Sequence, residues 1–178
     1  KEIPYRTDAD KWLYLRSENL LRERTYGGLL LTYRRGLYHY HSVETRYTRS
    51  TIADTIARLN PDYFLDGRTR QQFASLSYTY RYDRRDNVAF PLRGTLMAAT
   101  VGASGLLPGD TFHYVDLAGA VTRYWPLGGR FYAANTLRGR ITLPSRQPYV
   151  YLRALGSSFD VVRGYELYVI DGQRFGLW

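Results

Sequence analysis

Cysteine is absent from the 178 residues, so neither a disulfide framework nor a thiolate metal site can be built. Lysine is nearly absent as well. Only Lys1 and Lys11 occur, and the formal charge of +9 is carried almost wholly by arginine. Arginine keeps its charge when partly buried and grips carboxylates bidentately, which lysine does less well. No apolar run approaches the ~18 residues that a membrane-spanning helix needs. The longest, Gly27 to Leu31, is stopped by Tyr33-Arg34-Arg35. No signal-peptide pattern opens the chain. It begins at Lys1 in charged, strand-like sequence and ends in a strand-like RFGLW, so the expectation is a fragment of a larger protein.

What the sequence has in excess is tyrosine, 18 residues, with 3 tryptophans. Both side chains pair an apolar body with a polar tip, which suits strands and membrane interfaces. The dominant periodicity is two. From Gln72 to Asp83, Ala74, Leu76, Tyr78, Tyr80 and Tyr82 alternate with Ser75, Ser77, Thr79, Arg81 and Asp83. Phe131 to Thr142 repeats the pattern, with Phe131, Ala133, Leu137 and Ile141 on one face and Thr136, Arg138, Arg140 and Thr142 on the other. Val115 to Val121 alternates too, as do Tyr38 to Thr48 with less contrast and Thr95 to Gly102 only weakly.

Short turns fall at Arg34-Arg35-Gly36, from Asn87 to Gly94 and from Trp125 to Gly129. Long connections fall at about 50–70, with a short helix expected over Ile52 to Leu59, and at about 144–171. The fold expected is all-β: an antiparallel up-and-down meander of about eight strands from a larger transmembrane β-barrel of about 16 strands. Residues 1–178 then form part of one barrel domain, its central strands. Short turns at one end and long loops at the other match the periplasmic and extracellular ends of an outer-membrane barrel. Tyr38, Tyr82, Tyr124 and Trp125 near strand ends, and an arginine-rich polar face suited to a wet lumen, favour lipid outside. Periodicity alone leaves a soluble lipocalin-like barrel or sandwich open.

Two motifs stand out. In YRYDRRDNVAFPLRG, a strand ends in charges and a Phe-Pro precedes Gly94, a specified turn. In VVRGYELYVIDG, Val161 to Gly172, a supposed loop is too apolar to sit in water. Together they resemble the barrel domain of the BamA/TamA superfamily of outer-membrane assembly proteins. Asp83, Arg85, Asp86, Phe90, Pro91 and Gly94 match the family's D-x-R-D…F-P-x-x-G periplasmic turn. Three strands follow, and then a long sixth extracellular loop carrying V-R-G-F/Y, here Val162, Arg163, Gly164 and Tyr165. The resemblance covers Tyr80 to Trp178; earlier residues fit as barrel strands by pattern.

The resemblance implies a bacterial outer-membrane protein that assists insertion and folding of other outer-membrane proteins. Its partners would be outer-membrane lipids, unfolded outer-membrane protein substrates and accessory assembly proteins, and POTRA-type domains would precede the barrel. It further implies that Arg163 docks on the lumen wall against an acidic residue, for which Asp116 is a candidate, with Gly164 at the tip and Tyr165 as anchor. A protein-secretion pore of the same superfamily and a passive barrel or adhesin are the alternatives. No catalytic constellation, cofactor motif or metal set is evident. His39 and His41 share a strand face without a third ligand, and the arginines are scattered rather than gathered into a nucleic-acid-binding patch.

Overall fold

The computed structural model describes residues 2–8, 11–144, 146–155 and 170–178. A hairpin of β1 (Glu2–Asp8) and β2 (Lys11–Arg16) forms a small sheet of its own. Then come β3 (Arg22–Arg35), β4 (His39–Ile52), helix α1 (Asp54–Leu59), β5 (Arg70–Arg85), β6 (Gly94–Ser104), β7 (Tyr114–Gly128) and β8 (Phe131–Leu143). After β8 follow one 3-10 turn (Tyr149–Tyr151), the short pair β9 (Arg153–Leu155) and β10 (Ile170–Asp171), and β11 (Arg174–Leu177). The main sheet has seven strands in the order β11-β8-β7-β6-β5-β4-β3. Apart from the inserted pair β9–β10, this is the sequential antiparallel meander that the alternation implies. The long strands, 11 to 16 residues each from β3 to β8, meet or exceed the ~9–11 needed to cross a bilayer at a tilt.

Register sorts the side chains. Tyr78, Val101, Leu117 and Ile141 lie opposite one another across four strands, and so do Tyr82, Met97, Val121 and Leu137. Most of these apolar side chains are exposed. The other face carries Ser77, Thr79, Thr100, Asp116, Thr122, Thr136 and Arg140, most of them half-buried. An exposed apolar face of this extent is untenable in water. The alternation is therefore the inverted one of a membrane barrel, apolar to lipid and polar to the lumen.

The fully buried residues cluster at the long-loop end. Ile52, Ile56, Ala57, Tyr63, Phe64, Tyr149 and Val150 pack together, joined by Leu21 and Ile3. Helix α1 lies where the sequence expected it, although β4 runs on to Ile52 before it begins. One turn differs more. Trp125 to Gly128 belong to β7, and only Gly129 and Arg130 turn the chain. Pro126 stands next to a register shift between it and Gly128, a bulge of the kind at which sheets accept proline.

Candidate functional site

The residues of the first motif meet at the short-turn end of β5. Arg81, Asp83 and Arg85 are spaced i, i+2, so a strand places them on one face, the polar one. Arg85 grips Asp83 bidentately, Nε to Oδ1 and Nη2 to Oδ2 both at 2.8 Å, and Arg81 adds a bond of 2.6 Å to Oδ2. Arg85 also donates to the carbonyl of Val88 at 3.2 Å, which ties the strand end to the turn.

Asp86 organises the turn itself. Its Oδ1 accepts from the backbone N–H groups of Asn87 (2.9 Å), Leu92 (3.1 Å) and Arg93 (3.2 Å). The Asp86 N–H donates to the Arg93 carbonyl at 3.0 Å. Asn87 Oδ1 accepts from Ala89 and Phe90 at 2.8 and 3.2 Å. The backbone bonds, that from Arg93 foremost, hold the Asp86 carboxyl below its ordinary pKa. Gly94 closes the turn at φ +118°, and a Cβ there would lie 2.8 Å from Arg85 Cα, so both conformation and space require glycine. Phe90 is not drawn into this cluster: it is 81% exposed.

The polar face beyond the turn is laced by short bonds. Thr79 meets Thr100 at 2.9 Å, and Thr122 meets Thr136 at 3.0 Å. Glu44 pairs with Arg46. Asp116 is held by Arg140 through Nε (2.9 and 3.1 Å) and Nη2 (2.7 Å). Sequence reasoning offered Asp116 as a receiver for Arg163 and missed Arg140, because their pairing depends on the β7–β8 register. A depression of about 260 Å³ on this face is lined by Arg24, Glu44, Arg46, Asp116 and Tyr151 among others.

Val162, Arg163, Gly164 and Tyr165 lie outside the described residues. The chain leading to them is described as far as Leu155, and it turns onto the polar face. Tyr151 stacks on Phe112 with ring centroids 5.4 Å apart and meets Phe73 edge-on at 5.8 Å. Burial pushes the Tyr151 hydroxyl pKa up to about 12. The entry to the apolar loop thus packs over the lumen-side end of the sheet.

An all-antiparallel sheet with lipid-length strands, an apolar outer face and an ion-paired inner face defines the wall of an outer-membrane β-barrel. The family model of the Omp85 superfamily domain matches residues 12–174, and the chain belongs to the Omp85 superfamily. Among solved structures, BamA from Haemophilus ducreyi lacking POTRA domains 1–3 superposes with a TM-score of 0.65 at 16% identity, over 83% of this chain and 30% of that one. At that identity the likeness is one of fold, and the chain spans under a third of the relative's length. Comparison with the curated proteins finds no match. The family and fold imply an outer-membrane location.

Proposed function

We propose that this chain forms part of the wall of a bacterial outer-membrane barrel of about 16 strands that assists insertion and folding of other outer-membrane proteins. The observation that carries the reading is the Omp85 domain match over residues 12–174. Its support in the geometry is the order of parts: the Asp86-organised turn, three strands β6, β7 and β8, then the long connection that bears the V-R-G-Y residues. The work is physical, with no covalent step and no cofactor. An incoming strand enters lipid at lower cost when an opened barrel edge satisfies its backbone groups. In this reading Arg163 docks on the lumen wall and fixes the long loop. Asp116 can receive it only by sharing its oxygens with Arg140. The substrates are unfolded outer-membrane proteins, assisted by accessory assembly proteins.

Depletion of the intact protein in its parent organism tests the proposal. Other outer-membrane barrels should fall in abundance and their unfolded forms accumulate upstream of the membrane. Normal barrel levels, with one secreted protein lost from the medium, would assign a secretion pore instead.

A further inference from the structure

The apolar face is interrupted at the short-turn end by a cationic, aromatic depression of about 530 Å³ lined by Arg35, Gly36, His39, His41 and Tyr80. His39 Nδ1 is bonded to the Tyr80 hydroxyl and His41 Nδ1 to the Tyr78 hydroxyl, each at 2.8 Å. With the phenols as donors, each imidazole keeps its Nε2–H for a ligand. Arg35 lies opposite His39 at the end of β3. Among the described residues no carboxylate belongs to this corner of the apolar face: its positions are Tyr33 and Arg35 on β3, His39 and His41 on β4, and Tyr80, Tyr82 and Arg84 on β5. A cation on the lipid side of a barrel wall is costly unless it lies at the interface and finds an anion.

The depression opens along one row of the sheet. His41, Tyr80, Ala99, Gly119 and Gly139 are direct partners across β4 to β8. Beyond Tyr80 this row is small, and apolar depressions of about 510 and 500 Å³ flank it, both touching Tyr80 and Gly119. Packing does not explain Gly119. A Cβ there would meet nothing nearer than the Ala98 carbonyl at 3.9 Å, and its φ is not in the left-handed range.

The row also climbs. Counted from the short-turn end, His41 is the third residue of β4, Tyr80 the sixth of β5, Ala99 the sixth of β6, Gly119 the tenth of β7 and Gly139 the ninth of β8. It therefore runs from the turn-side strand ends toward mid-strand, over four strand spacings or roughly 19 Å across the sheet.

We propose that this face binds one anionic phospholipid of the turn-side leaflet, its phosphate held by Arg35, His39 and His41 and one acyl chain lying along Ala99, Gly119 and Gly139. A charged headgroup fits the depression, and only an amphiphile fits depression and groove together. The intact barrel protein in mild detergent, exposed to phosphatidylglycerol or phosphatidylcholine, gives the test by native mass spectrometry. Wild type should retain phosphatidylglycerol at least about five-fold over phosphatidylcholine, as charge-assisted bonds to phosphate would give.

Arg35→Gln with His39→Gln and His41→Gln should abolish that preference, whereas Arg123→Gln, at the same end over Trp125, should leave it intact. Gly119→Leu should reduce retention of the long-chain lipid but not of its deacylated headgroup, glycerophosphoglycerol. Heat-modifiable gel mobility confirms folding of each variant, and Arg35→Gln alone serves if the triple variant fails to fold. Equal losses in Arg123→Gln and the triple variant would overturn the proposal, as would an inert Gly119→Leu or a headgroup that binds as tightly as the whole lipid.

Discussion

The two ends of the sheet are held by opposite chemistry. At the short-turn end, Asp86 gathers backbone N–H groups and Asp83 ties Arg81 and Arg85, while the turn's large apolar side chain, Phe90, stays exposed and outside the network. At the long-loop end, Ile56, Tyr63 and Phe64 are at most 1% exposed and tie α1 to the 3-10 turn through apolar contact. The contrast follows from chain length. A connection of eight residues between β5 and β6 is too short to bury a core and must be specified by hydrogen bonds and dihedrals. The stretch from Ala53 to Thr69 is long enough to carry its own core. One end therefore sets strand register, and the other caps the polar face.

If register is set at the turn, the largest effect belongs to Gly94→Val. The change places a β-branched side chain at φ +118° and against the Arg85 backbone. The β5–β6 hairpin cannot close without shifting, and the expected cost is more than about 4 kcal/mol. Loss of the heat-modifiable folded band on gels would show it. A folded variant of wild-type thermal stability would mean that the turn does not set the register.

A smaller and more local effect is expected at the other end. Phe64→Ala leaves a cavity in the buried cluster and should cost about 3 kcal/mol. Because the cluster touches the main sheet only at its edge, through Ile52 at the end of β4, the loss should appear as faster proteolysis between Ala53 and Thr69 with the sheet intact. Unfolding of the whole barrel instead would erase the distinction between a cap and a register-setting turn.

The same division governs what could be read from sequence. Strand β5 was legible because aromatic and small polar residues alternate without a break. Strand β6 was faint because Ala98, Ala99 and Gly102 contrast little between faces. Strand β3 was hidden: Gly27 and Gly28 weaken strand propensity, and Leu29-Leu30-Leu31 breaks the alternation, with Leu30 on the polar face opposite Glu44. At the turn, the residue types announced the geometry, since Asp86 and Gly94 act on backbone a few positions away. The Asp116–Arg140 pair and the histidine–tyrosine bonds are properties of register, joining residues 24 and 37 or more positions apart, and no local pattern encodes them.

The smallest effect separates the ends by pH. Asp86 has its carboxyl pKa lowered from 3.8 in the folded turn, so the folded state favours the carboxylate. Its contribution is complete above the unfolded value and is lost as pH falls through the folded one. Tyr151 has its pKa raised to about 12, so burial favours the neutral phenol. That contribution is complete below the unfolded value of about 10 and is lost as pH rises toward 12. Acid should therefore loosen the turn end first, and alkali the loop end. Thermal unfolding of the intact protein should show Asp86→Ala less stable than wild type at neutral pH, with the gap closing below about pH 4. Tyr151→Phe should match wild type at neutral pH and resist the alkaline loss, because it has no proton to release. A gap for Asp86→Ala that persisted at pH 2 would mean that the side chain acts through shape rather than charge, and the two ends would then no longer differ in kind.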